Sequence, residues 1–412
     1  MKKKIALFLC AALAVTALSG CAIQENIYKD DPELADRTLH PENYVEENEN
    51  TGGGLAAATV HDFAAAFEMY DPDMVVATVC GNDVTWQEYY YWAMNSLMMM
   101  EMHLGEAITD YSTDFGGMSY NDYLRAMTEL NCRQYHSVDY HAREMGVELS
   151  EESLQAIEEQ LQSDIQNYSD DGTEEGFNRY LSSIYTSREV YDFMNSVAML
   201  YADSFDHLYG ANGEKLPAED VISFGENNSF MVARHILIRT VDDSRQPLSD
   251  EEVAAARELA YELSGRINAG EDFDTLLAEY GEDPGQAYYP DGYCFQPGQM
   301  VTAFEDAVEA LQPGEITAEP VESELGYHII QRGELTPESV VEYQSESSVI
   351  TLRYVCASQE FSALVNDWME GAEVEYADGF EMDFEAVFGA AEIQESGAAA
   401  ESDPAAGSGE AE

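Results

Sequence analysis

The chain has 412 residues, 45% of them apolar and 11% aromatic, enough for two or three packed domains with sizeable cores. Its 18 basic residues face 81 acidic ones, a formal net charge of -63. A surface that negative repels phosphate backbones, which argues against nucleic acid as a partner.

The sequence opens on Lys2-Lys3-Lys4 and an apolar run from Ile5 to Leu18, too short to span a bilayer comfortably. The run ends in Leu18-Ser19-Gly20-Cys21, which resembles a bacterial lipobox. That resemblance implies a signal peptide over residues 1–20, cleavage before Cys21 and a lipid on its thiol. The protein would then be extracytoplasmic and anchored to the bacterial cell membrane, since two acyl chains hold a protein stably where one does not. Residues 21–70 are polar and acidic, with Glu46-Glu47-Asn48-Glu49-Asn50 and Gly52-Gly53-Gly54, and read as a tether. About 49 flexible residues reach roughly 35–40 Å. A small helix is expected over His61 to Met69. Apart from Cys10 and Cys21, four cysteines remain: Cys80, Cys132, Cys294 and Cys356. They are far apart and lack metal-ligand spacing, so no metal and no other cofactor is expected. Disulfides and buried free thiols both fit this pattern.

A folded body is expected from about residue 71. Met74 to Val79 reads as a strand, Gly81-Asn82-Asp83 as a turn, and Thr85 with Glu88 as a capping box opening a helix to about Gly105. Further helices follow over 120–146, 151–168 and 187–209, the last with Thr186 and Glu189 as its box. Tyr89-Tyr90-Tyr91-Trp92 and Met98-Met99-Met100 read as core, with an adaptable client-binding face as the alternative use of the methionines. His136 and Asp139 could share a helix face, but no third metal ligand accompanies them. The string from Val76 to Tyr89, V-A-T-V-C-G-N-D-V-T-W-Q-E-Y, resembles the start of the helical chaperone domain of SurA- and PrsA-type foldases. Cys80 stands where that pattern has Asn.

Residues 229–335 change character. A strand over 230–239 holds His235. Ser249 and Glu252 box the start of a helix that stops at Gly270. Phe273 to Tyr280 makes a short helix, and Thr302 with Glu305 caps another that ends at Pro313-Gly314. Strands are expected near 315–321 and 326–334. Gly281-Glu282-Asp283-Pro284-Gly285, then Gln296-Pro297-Gly298-Gln299-Met300 with Phe304-Glu305, then Gly326-Tyr327-His328-Ile329-Ile330 complete the set. In this order and within about a hundred residues, these motifs resemble the PpiC-type parvulins, a family of peptidyl-prolyl isomerases.

The resemblance implies an enzyme without cofactor that rotates X-Pro bonds. Met300 and Phe304 match the positions that hold the proline ring, on one face if they are four apart in one helix. Phe295 supports them. His235 and His328 match a histidine pair on neighbouring strands that shares a hydrogen bond. Asp283 matches the polar position facing the first histidine, and Ser323 a hydroxyl near the second. Where many parvulins read G-G-D-L-G-W-F, this chain reads Tyr289-Pro290-Asp291-Gly292-Tyr293-Cys294-Phe295. A leucine that walls the proline pocket is thus replaced by Gly292, and Tyr293 or Cys294 could fill the gap. Only Arg239 and Arg245 follow His235 closely, so phosphorylated substrates are not expected.

After Pro337 the chain turns helical to about Gly371, with Phe361, Leu364, Val365 and Trp368 on one stripe. Asp378 to Phe388 adds a last element, and residues 389–412 read as a disordered tail. The expected fold is α+β. A parvulin-like domain over 229–335, a small antiparallel sheet with helices, is inserted in a split, mostly helical chaperone domain over 71–228 and 336–388. The expected function is a membrane-anchored foldase acting on unfolded exported proteins. The alternative is a holdase whose parvulin domain docks clients without turnover, a reading that Gly292 motivates. Oligomeric state, a dimer included, is left open.

Overall fold

The structure, a computed structural model, describes residues 61–345 and 348–389. The expected signal peptide, Cys21, residues 21–60 of the tether and the tail beyond Gly389 lie outside the described residues. The chain divides into two compact units. Among the described residues, one comprises 61–141, Glu151–Ala198 and 368–389, and the other Ala142–Ser150 and Met199–Asp367.

The first unit is mostly helical. Its central helix, Trp86–Leu104, starts where the Thr85 hydroxyl accepts from the Glu88 N–H and stops at Gly105 in the left-handed conformation, φ 72°. Trp86, Tyr89, Tyr90, Tyr91, Trp92, Leu97 and Met100 are buried, so the aromatic run is core, whereas Met99 and Met102 are exposed. Glu88 does not complete a capping box. Its carboxylate accepts instead from His136 Nε2 at 3.0 Å and from Trp92 Nε1 at 3.4 Å. Tyr135 of helix Tyr120–Glu144 lies against Trp92 at 4.8 Å, and Leu161 and Ile165 of helix Glu151–Tyr168 share a second core with Phe177 and Leu181 of helix Glu174–Ser183 and Tyr191 of helix Arg188–Tyr209. The helix at 174–183 is an addition to the expected elements, with Thr173 capping it through the Gly176 N–H. Ser187, not Thr186, accepts from Val190 N–H at the start of the next helix.

Strand Val75–Val79 pairs antiparallel with Asn82–Thr85 through a two-residue turn, and with Val374–Tyr376 on its other edge. The C-terminal segment therefore returns to the start of the body. The expected tether ends earlier than residue 70: His61 is buried and bonds both Glu101 Oε1 and the Phe388 carbonyl at 2.6 Å, and Phe63–Phe67 is helical. A carbonyl and a carboxylate both accept, an arrangement that favours the imidazole with both ring protons. Burial opposes that charge, yet the Glu101 carboxylate and the Phe388 carbonyl leave the His61 pKa raised.

The second unit is built on a four-stranded antiparallel sheet, in the order Tyr293–Phe295, Met231–Arg239, Gly326–Arg332, Val321–Ser323. Strand alternation sorts its two faces. Ile236, Ile238, Tyr327 and Ile329 point to one side, against helices Asp250–Asn268 and Phe273–Tyr280. Met231, Ala233 and Ile330 point to the other, against helix Thr302–Ala310. The Ser249–Glu252 capping box is complete. At Thr302–Ala310 the expected cap is not: Val301 occupies the N-cap, and Glu305 turns its carboxylate back on the preceding loop. Strand 315–321 is also corrected. Only Ile316 forms a bridge, to Gln331, and the edge strand is Val321–Ser323. The chain after Pro337 is not helical at once, because Val340–Ser345 and Ser348–Thr351 form a hairpin before helix Leu352–Gly371.

Residues 199–228 and 336–367, expected in the helical chaperone part, cluster with this sheet. The reason is a shared core: Val221 of helix Ala218–Asn227 with Leu352 and Cys356 packs on Phe230, Val232 and Cys294. Cys80, Cys132, Cys294 and Cys356 are free thiols. Burial pushes the Cys294 thiol up to about 12, which keeps it protonated and inert.

Candidate functional site

Register brings the two histidines together. Leu237 pairs with His328 and His235 with Ile330, so the histidines sit diagonally on the same face of adjacent strands. Their rings lie nearly parallel, 13° apart with centroids at 5.0 Å, and Nδ1 meets Nδ1 at 2.8 Å. From there the contacts continue at both ends. His235 Nε2 lies 2.9 Å from Asp283 Oδ2, and His328 Nε2 lies 2.6 Å from Ser323 Oγ. One continuous chain thus runs Ser323, His328, His235, Asp283, assembled from three strands and the loop after helix Phe273–Tyr280.

Electrostatics fix much of its protonation. Burial, with His235 adding to it, lowers the His328 pKa to about 3, so this ring is neutral at neutral pH. Burial alone would raise Asp283. The bonds it accepts from His235, Tyr293 and the Gly285 N–H outweigh that and hold it at about 2. An ionised Asp283 requires the proton of His235 on Nε2. A neutral His328 has one proton for two neighbours. It therefore donates from Nδ1 to His235 while Ser323 donates to Nε2, or it donates from Nε2 to Ser323 and accepts a second proton of His235. The Ser323 hydroxyl also accepts from Leu325 N–H at 3.1 Å, which pins it in a turn.

Phe304 forms the apolar floor. It is buried and edge-on to both imidazoles, at 5.2 Å from His235 and 5.7 Å from His328. Phe295 supports it at 5.9 Å. Met300 and Tyr293, both half-buried, pack on the same cluster. Contrary to the expectation from sequence spacing, Met300 precedes the helix and does not share a helical turn with Phe304. A different device positions it. The Glu305 carboxylate accepts from Gly298 N–H and, at 2.7 Å, from Met300 N–H, clamping the loop. Those backbone donors lower the Glu305 pKa. Sequence spacing conceals this role, because the residue also fits a cap. Its signal is the pair of proline and glycine positions just ahead of it.

Gly292 has a steric explanation. At φ 105° it lies so close to the central strand that a Cβ would stand 2.8 Å from the Ala233 carbonyl oxygen. No leucine fits this backbone. The neighbour Tyr293, opposite Ala233, occupies the gap instead, while Cys294 points to the opposite face.

Residues 235–334 match the family model described as a rotamase, the PPIC-type PPIASE domain. The chain is 38% identical over 146 residues to the chaperone SurA of Chromohalobacter salexigens, covering 34% of this chain and 31% of that protein. It is 30% identical over 153 residues to the foldase protein PrsA of Geobacillus kaustophilus, covering 35% of this chain and 54% of that protein. This chain thus spans less than a third of the length of that SurA relative and about half of that PrsA. Among solved structures, the peptidylprolyl isomerase PrsA of Bacillus cereus is 22% identical, over 68% of this chain and 98% of its own, with a TM-score of 0.25.

Proposed function

We propose that this chain, whose residues 235–334 form a PpiC-type parvulin domain, is a peptidyl-prolyl cis-trans isomerase and foldase for exported proteins. One observation carries the reading: two imidazoles from strands 93 residues apart are hydrogen-bonded to each other against the ring of Phe304.

The reaction makes and breaks no covalent bond. Rotation must overcome a barrier near 18–20 kcal/mol set by amide resonance. In the bound state the pyrrolidine ring rests on Phe304 and Met300, with Phe295 behind them and Tyr293 at the side. Twisting the amide localises its nitrogen lone pair and changes the charge on the carbonyl. Dipoles already aligned by the protein stabilise such a change without reorganising. Asp283, His235, His328 and Ser323 supply that alignment. Their tautomers are set by one another, and the neutral His328 keeps the apolar floor free of a buried charge.

Clients are unfolded or partly folded chains with X-Pro bonds, in keeping with relatives named SurA chaperone and PrsA foldase. The lipobox-like Cys21 supports a site of action outside the cytoplasm, on the membrane. The alternative, docking without turnover, rests on Gly292; the packing of Tyr293 on the Phe304 cluster weighs against it.

Exchange NMR on a short X-Pro peptide tests this. The full chain accelerates exchange, and Phe304→Leu slows it roughly tenfold, the usual scale for reshaping an apolar pocket. Equal rates for the two proteins would reject the enzyme. Suppression of client aggregation without any acceleration would leave the holdase.

A further inference from the structure

Tyr293 does more than fill space. Its hydroxyl donates to Asp283 Oδ2 at 2.6 Å, the same oxygen that faces His235. Its ring lies against Tyr289, with centroids 4.6 Å apart, and stands edge-on to His235 at 6.2 Å. Room for the hydroxyl exists because residue 285 is glycine, where a Cβ would overlap it. Tyr289 is held in turn: its hydroxyl accepts from the Tyr343 N–H at 3.1 Å. Tyr343 belongs to the 340–351 hairpin, which lies beyond the matched span 235–334. The related motif has glycine at the place of Tyr293, so this hydroxyl is an addition to it.

We propose that Tyr293 is a positioning residue, held through Tyr289 by the 340–351 hairpin, that fixes Asp283 as the ionised acceptor for His235 Nε2–H. The inference rests on the isomerase reading for its functional meaning, but the geometry exists without it. The groups around Asp283 are few. His235 faces it from the central strand and Tyr293 from the edge strand, with the Gly285 N–H on its other oxygen. His328 stands behind His235, and Tyr289 behind Tyr293. Glu282 turns away to the Arg239 N–H. Among the described residues, the groups that hold Asp283 ionised are His235, Tyr293 and the Gly285 N–H. Loss of one hydroxyl should therefore be felt directly.

The test is a carbon-detected titration of the Asp283 carboxyl in the full chain and in Tyr293→Phe, which keeps the ring and removes only the hydroxyl. Loss of a bond to a charged acceptor should raise the midpoint by about one unit, roughly tenfold in acidity constant. The acid limb of the exchange rate should move up with it. Tyr289→Leu, which removes the supporting ring, should shift the midpoint in the same direction by less. An Asp283 midpoint unchanged in Tyr293→Phe would overturn the inference even if the wild type isomerises peptides. A shifted midpoint in a protein that never isomerises would uphold it and reject the proposed function instead.

Discussion

Replacing Asp283 by Asn keeps the shape of the side chain and removes its charge. The carboxylate takes three bonds: Oδ2 from His235 and Tyr293, and Oδ1 from the Gly285 N–H. An amide has one oxygen, so it must point its NH2 group either at the Gly285 N–H or at the two donors on the other side. The magnitude follows from linkage. The pKa stands at about 2 in the fold against an ordinary 3.8, and one unit is worth 1.36 kcal/mol. The ionised form is therefore favoured by about 2 kcal/mol in the native state. With the side chain 13% exposed, solvent screens little of it. Because the folded pKa is depressed, this stability is present above about 3.8 and is lost as pH falls through about 2. Hydrogen exchange in urea, followed on strands Met231–Arg239 and Gly326–Arg332, reports the second unit alone. Asp283→Asn should cost about 2 kcal/mol at pH 7, and the gap should narrow strongly by pH 2, where the wild-type carboxyl is itself half protonated. A gap of equal size at both pH values would refute the assignment of this stability to the charge.

Three further outcomes are expected. Gly292→Ala should destabilise the second unit by about 2 kcal/mol or more, measured by denaturant unfolding, because the new Cβ meets the Ala233 carbonyl at a backbone conformation strained for it. Cys80→Asn should stabilise the first unit by about 0.5–1 kcal/mol in the same assay, since Cys80 holds φ 52° in a two-residue turn where Asn is better suited. The His61 clasp has the opposite pH sign to Asp283. Its folded pKa is raised, so its contribution is full below about 6.5 and is lost as pH rises through the folded value. Exchange protection of helix Phe63–Phe67 should fall across that range in the wild type, and His61→Gln should abolish the dependence.

Local signals are legible where one side chain has one role. Ser249 and Glu252 find only each other, and their box is complete. The helix at Phe273–Tyr280 has the bounds expected of it. The same pattern misleads where a carboxylate has a stronger tertiary claim. Glu88 serves His136 and Glu305 serves the Met300 loop, so neither returns to its cap. The 340–351 hairpin reads as helix because its alternation is short and half-exposed, and only its packing beside strand Tyr293–Phe295 reveals it. Candidate site residues are found through motif order. Nothing local to His235 points to His328, and register alone brings them together. The Tyr293 bond to Asp283 cannot be read from sequence at all, since it depends on Gly285 and Gly292 letting the backbone approach closely.

At the centre of the site stands an imidazole pair with a neutral inner ring. Nitrogen-15 NMR of the ring nitrogens across pH 8 to 4 measures it directly. The prediction is a His328 that stays neutral over the whole range, with a through-bond coupling across its Nδ1 contact to His235. A His328 that titrates near 6.5, or shows no coupling to His235, would contradict it.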